Sequence, residues 1–216
     1  MLEKLPGMLG HALRHQRAGL DETVFHHTPL RSGLGAIEVG SLAFADHAPI
    51  PQRYTADGEG LSPPLHWRNV PANATSVLLI VEDADAPTPH PLVHGIVVDL
   101  PPDQTALAEG ALDATDDDGT EAHAGRHSFL GSGWLPPDPP PGHGVHRYVF
   151  QVFALGPGEP FSATPGRDEV LAALQQRVLA GGCLIGTYER PDGSVKADEP
   201  ATADVAPAAT APLAPQ

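Results

Sequence analysis

The stretch from Pro136 to Leu155, PPDPPPGHGVHRYVFQVFAL, constrains the fold more than any other part of the chain. Five of the six residues from Pro136 to Pro141 are proline. Proline fixes φ and removes a backbone donor, so this segment is a stiff loop that cannot join a central ladder. Gly142 and Gly144 flank His143 and let the backbone come close to a ligand or a neighbouring segment. The run from His146 to Leu155 is rich in β-branched and aromatic residues and reads as a strand. Alternation places His146, Tyr148, Phe150 and Val152 on one face, with Arg147, Val149, Gln151 and Phe153 on the other. An imidazole and a phenol opening an apolar face fit a pocket mouth. They also fit a surface histidine beside a tyrosine whose hydroxyl reaches water, and the strand alone does not choose.

The rest of the chain punctuates itself in the same way. Residues 2–18 carry Leu2, Leu5, Met8, Leu9, Ala12 and Leu13 at helical spacing. They predict a short amphipathic helix that docks on the domain or at a homodimer interface. His26 to Pro29 reads as loop, and Ile37, Val39 and Ser41 to Phe44 as a first strand. Asp57-Gly58 makes a turn, Pro63-Pro64 stiffens it, and Leu65 and Trp67 start a strand with one face in the core. Ser76 to Val81 is a continuous apolar run, expected as a fully buried strand that emerges into Glu82, Asp83 and Asp85. Acids there fit either a functional cluster or a solvated strand end with Asx turns. His94 opens the next strand, ending at Leu100. Pro101 to Arg126 is acidic and small, expected as a long exposed loop. Arg167 to Ala180 predicts a helix with Val170, Leu171, Leu174 and Val178 on its apolar stripe and Gly181-Gly182 as its stop, before a last strand from Cys183 to Tyr188.

Charge and cysteine usage narrow the function classes. In 216 residues, 12 Lys and Arg face 27 Asp and Glu, for a formal charge of −15. A chain this acidic lacks the basic face that phosphate neutralisation on nucleic acid needs, and anionic membranes repel it. The single cysteine, Cys183, allows neither an internal disulfide nor a cysteine-based metal cluster. The first residues lack the continuous apolar core of a secretory signal, and no run is long enough to cross a membrane, so a cytoplasmic location is expected. The expected organisation is an N-terminal helix and linker over residues 1–30, one domain over residues 31–191, and a disordered acidic Ala/Pro tail over residues 192–216.

Three motifs in order carry a family resemblance. Asp57-Gly58 with Ser62-Pro63-Pro64-Leu65 and Trp67, then Asp83 with Asp85-Ala86-Pro87, then Pro139-Pro140 with Gly142, Gly144 and His146-Arg147-Tyr148 resemble the phosphatidylethanolamine-binding protein family. Its bacterial Raf-kinase-inhibitor-like branch is the nearest, and Leu171 to Arg190 is similar to that branch as well. The resemblance implies a mainly β fold: a single antiparallel β-sandwich-like domain, here with an N-terminal helix and a helix near the C-terminus. It implies a small pocket that binds anions, phosphate or a phosphorylated lipid head group, lined here by Asp83, His94, Pro139, Pro140, His146 and Tyr148. It also implies a cis Ala86–Pro87 bond. The family's usual aromatic near the first histidine is Leu92 here, and its Asp-Pro-Asp is Asp83-Ala84-Asp85.

The site chemistry of these residues favours a binding module over a catalyst. Imidazoles, a phenol and loop N–H groups all donate to an anion. Asp83 would orient one imidazole, or accept from a protonated phosphate or an ammonium group, which suits a monoester or zwitterionic head group. No residue is assigned a catalytic role, and no cofactor or metal is required. The alternatives are a hydrolase of small phosphate or acyl esters with His146 or His94 and Asp83 as acid and base, and a metal site using His143, His146 and Asp83 or Asp85. The last requires His143 to lie in the loop. A further class, regulation or inhibition of a kinase or protease, is implied by the resemblance alone.

Overall fold

The structure, a computed structural model, describes residues 7–30, 36–112 and 123–190. The expected tail, the start of the N-terminal helix, the boundary at residue 31 and the Asp116–Asp118 run lie outside the described residues.

Two antiparallel sheets face one another. The larger is built from β3 (Ser76–Asp83), β4 (Leu92–Leu100), β6 (His123–Ala124), β7 (His146–Leu155) and β8 (Val178–Tyr188), in the order β6-β4-β3-β7-β8. The smaller joins β1 (Glu38–Gly40), β2 (Leu65–Arg68) and β5 (Ala106–Leu107), in the order β1-β2-β5. Because β3 is hydrogen-bonded on both edges and covered on both faces, every one of its residues is buried. That burial is why its sequence reads as a continuous apolar run rather than an alternating one.

The period of two in β7 sorts its side chains between two cores. Tyr148, Phe150 and Val152 join Leu65, Trp67, Leu79 and Val81 between the sheets, while Phe153 and Leu155 join Val24, Ile80, Ile96, Val170 and Leu174 on the opposite face. Helices cover that second face: α2 (Val24–His27) and α3 (Arg167–Arg177). Glu82, on the same face, is fully buried and accepts from Val24 N–H at 2.7 Å, Gln151 Nε2 at 2.8 Å and Arg167 Nε at 2.7 Å. One carboxylate therefore pins both helices to the sheet, and it is satisfied as a buried charge must be.

Several local expectations are corrected. The segment at His26-His27 ends a short helix rather than lying in a loop. The first strand is confined to Glu38–Gly40, because Ser41 turns away to donate its hydroxyl to Pro64 O at 2.6 Å. Helix α3 stops at Arg177, and Val178, extended at φ −65° and ψ 134°, already begins β8. Gly181 and Gly182 are strand residues, placed where backbone crosses: a Cβ on Gly182 would lie 1.8 Å from Ile37 O. Short strands β5 and β6 interrupt the stretch expected as one exposed loop.

The N-terminal helix is present as α1 (Gly7–Leu13), and it docks on the Pro141–Gly144 loop of its own chain. Ala86–Pro87 is trans, since no cis bond occurs among the described residues. The Ala86 carbonyl is held instead by a 3.1 Å hydrogen bond from Ala18 N–H, and trans is the ordinary preference of such a bond.

Candidate functional site

Strand β7 delivers His146 and Tyr148 to the end of the inter-sheet core, β3 delivers Asp83 beside them, and β4 delivers His94. The register pairs Asp83 with Tyr148 across β3 and β7 and with Leu92 across β3 and β4. Asp83, His94, His143, His146 and Tyr148 are 4, 3, 1, 1 and 0 % exposed. An open groove of about 510 Å³, lined by Pro89, His90, Arg126, His127, Phe129 and Arg167 among others, includes none of the five.

A chain of hydrogen bonds runs through the cluster. His143 Nε2 lies 2.9 Å from Leu13 O, His143 Nδ1 lies 2.7 Å from His146 Nε2, and His146 Nδ1 lies 2.7 Å from Asp83 Oδ2. Its proton content follows from what each end can do. A carbonyl and an ionised carboxylate only accept, so each outer ring nitrogen carries a hydrogen. Burial, and then the neighbouring imidazole of His146, push the His143 pKa down.

His94 and Tyr148 are arranged differently. His94 Nδ1 donates to Leu135 O at 2.6 Å, and its ring meets the Tyr148 ring edge-on with centroids 5.1 Å apart. Burial lowers the His94 pKa, with Asp83 opposing. A neutral His94 then turns a lone pair on Nε2 towards the site. Neither that nitrogen nor the Tyr148 hydroxyl has a hydrogen-bond partner among the described residues. Burial, followed by the charges of Asp83 and Asp138, raises the Tyr148 pKa well above the usual phenol value, so the group stays an O–H donor. Trp134 packs on His94 and stacks on Phe150, with centroids 6.3 Å and 6.1 Å away, and supplies an aromatic wall that Leu92 does not.

The proline turn is fixed from the far end of the chain. Arg190, fully buried, donates from NH1 to Pro139 O at 3.0 Å and from Nε to Asp57 Oδ2 at 2.8 Å, and its NH2 lies 2.7 Å from Asp138 Oδ1. Burial alone would lower its pKa, but Asp57 and Asp138 outweigh it and hold the guanidinium charged. Pro139 and Pro140 thus belong to an anchored loop, in which Pro140 O accepts from His143 N–H at 3.2 Å. Gly142 and Gly144, at φ 77° and 91°, turn that loop so that His143 faces His146.

The Asp85 carboxylate sits outside the hydrogen-bonded chain, and the Asp85 backbone N–H donates to Asp83 Oδ1 at 2.8 Å. Arg147 clamps its carboxylate, with Nε and NH2 each 2.7 Å away, and Arg17 NH1 lies at 2.9 Å. Burial acts against its charge, but Arg147 and Arg17 hold its carboxyl below the usual range. His143 does lie in the loop, the condition for a metal site with His146. Its nitrogens are hydrogen-bonded to Leu13 and His146, and among the described residues no group of three or more His, Cys, Asp or Glu is set to hold a metal ion.

The sequence model described as phosphatidylethanolamine-binding protein matches residues 40–189. The chain belongs to the phosphatidylethanolamine-binding protein family. A UPF0098 protein of Methanothermobacter thermautotrophicus is 40 % identical over 149 residues, covering 68 % of this chain and 95 % of the relative. The crystal structure of a phosphatidylethanolamine-binding protein homologue, CT736, from Chlamydia trachomatis is similar with a TM-score of 0.64 at 35 % identity, over 72 % of this chain and 98 % of that one. That of Escherichia coli YbcL gives 0.66 at 28 % identity, over 72 % and 99 %. Membership supports ligand binding in general, and the comparisons lend no support to the hydrolase alternative. No helix among the described residues is long and apolar enough to cross a membrane.

Sequence reasoning missed four contributors. His143 entered only as a metal ligand, although its position between two glycines was a signal for a residue held in a special loop. Trp134, Arg17 and Arg190 lie far along the chain from their partners, and nothing local marks them.

Proposed function

We propose that the protein binds a small oxyanion, a free phosphate or the phosphate of a monoester head group, at His94, Tyr148 and the Asp83–His146 pair beside the Pro139–Pro140 turn. One observation carries this reading: two deeply buried polar atoms on rings that pack edge-on, His94 Nε2 and Tyr148 Oη, have no hydrogen-bond partner among the described residues. Such groups are costly unless they serve a ligand. One offers a lone pair and the other an O–H. A singly protonated phosphate satisfies both, since its P–O–H donates to His94 and an ionised oxygen accepts from Tyr148. Asp83 is already committed to His146, which reduces its repulsion of the ligand.

Calorimetric titration with inorganic phosphate, phosphoethanolamine and sulfate tests the reading. Phosphate and phosphoethanolamine should bind, and sulfate, which has no proton to donate near neutral pH, should bind more weakly. A preference for phosphoethanolamine over phosphate would point to a head group as the source. His94→Ala and His146→Ala should each remove most of the affinity while the fold is kept. Unchanged affinity in both would sink the assignment.

A further inference from the structure

The segment Gly7–Gly19 crosses the two loops that carry the site. On the loop before β7, Gly10 packs so closely that a Cβ there would lie 2.0 Å from Pro141 O and 2.9 Å from His143 N. Leu13 O takes the hydrogen of His143 Nε2 at 2.9 Å. Arg17 donates from NH2 to His143 O at 2.9 Å and from NH1 to Val145 O at 2.7 Å. On the turn after β3, the same Arg17 NH1 lies 2.9 Å from Asp85 Oδ1, and Ala18 and Gly19 N–H donate to Ala86 O and Ala84 O at 3.1 Å and 2.7 Å. Asp83 and His146 sit at the roots of these two loops. The segment therefore ties together the two walls of a site whose ligand-facing atoms are sealed from solvent.

We propose that this segment is a clasp: an internal gate that closes the site and must lift before an oxyanion enters. The inference rests on the anion-binding reading of the same site. Its physical content is a population term. If the site is competent only when the clasp is open, apparent affinity is the intrinsic affinity reduced by the open fraction, and loosening the clasp tightens binding. Two features suit a gate rather than a permanent wall. Among the described residues of this segment, Arg17 is the side chain that bridges both loops, and it stays about 29 % exposed. Helix α1 makes a close contact through a glycine and turns Met8 and Leu9 outward to solvent at 81 % and 42 % exposure, so little apolar area holds it down.

Two full-length variants test the clasp without touching His94, His146 or Tyr148. Gly10→Ala drives a methyl group into Pro141 O, and Arg17→Gln removes the bridge. Melting curves confirm that each variant folds. Site-resolved carbethoxylation by mass spectrometry then reports access to His143, with the exposed His47 and His66 as internal references, and calorimetry reports inorganic phosphate binding. In the wild type His143 should be protected. In both variants its modification should speed up about tenfold or more, and phosphate should bind about tenfold or more tightly. If His143 reacts as fast as His47 in the wild type, or is unmoved in both variants, the clasp is overturned whatever phosphate does. If protection is lost and phosphate binds more weakly, the segment builds the site rather than gating it, and the proposal fails. If protection is lost and phosphate binds none of the three proteins, the gate stands and the anion reading falls.

Discussion

Replacing Tyr148 by Phe should separate stability from binding. The side chain is fully buried, and its hydroxyl has no hydrogen-bond partner among the described residues. Removing a buried hydroxyl normally costs the fold about 1 kcal/mol, the net worth of its hydrogen bond. Here there is no bond to lose, while burying an unpaired polar group costs about 1–3 kcal/mol. Tyr148→Phe should therefore leave the unliganded protein unchanged or stabilise it by up to roughly 2 kcal/mol, a rise of up to about 4–8 °C in melting temperature at this size. The ligand sees the opposite sign. A hydrogen bond to a charged acceptor is worth about 1.5–3 kcal/mol, so phosphate should bind roughly ten- to hundred-fold more weakly. Thermal melts without phosphate, paired with calorimetric titration, measure both numbers on one sample. A variant more than about 1 kcal/mol less stable would show that the hydroxyl has a protein partner in solution. Unchanged phosphate affinity would remove Tyr148 from the site.

Other expectations follow from single contacts. Gly182→Ala places a methyl group 1.8 Å from Ile37 O and should cost about 1–3 kcal/mol by chemical denaturation, as overpacking does. Arg190→Met leaves Asp57 and Asp138 without their shared cation and should cost about 3–5 kcal/mol, with weaker phosphate binding because Pro139 loses its anchor. His94 and His143 have folded pKa values pushed down by burial. The unfolded chain therefore binds more protons below its own histidine pKa of about 6.5, and stability should be flat above that pH and fall as pH drops through it. A melting temperature that rises on acidification from pH 7 to pH 5.5 would contradict the two assignments. With a net charge of −15, an inert salt should leave phosphate affinity unchanged or improve it, because screening acts on the long-range repulsion more than on sealed contacts.

Much of the architecture was legible because its causes are local. The period of two in His146–Leu155 assigns each side chain to a face before any partner is known, and the structure sorts Tyr148, Phe150 and Val152 from Phe153 and Leu155 accordingly. The unbroken apolar run of Ser76–Val81 announced a strand covered on both faces, and the three ordered motifs announced the family. The same local logic misled at Gly181-Gly182. A glycine pair after a helical stripe reads as a stop, but these glycines are small because Ile37 and Phe153 press against them from elsewhere in the chain.

What the sequence could not express is contact between segments separated by many residues. Nothing in Gly10, Leu13 or Arg17 names the Pro141–Val145 loop as a partner, and nothing in Arg190 names Asp57. Local sequence encodes backbone preference and the burial of one face, both properties of a residue and its neighbours. Whether His143 becomes a ligand, a bystander or a link in a proton-bearing chain depends on which atoms the closed fold brings within 3 Å of it. That distance is set by the packing of two sheets, a proline loop and an N-terminal clasp together, so only the tertiary structure decides it.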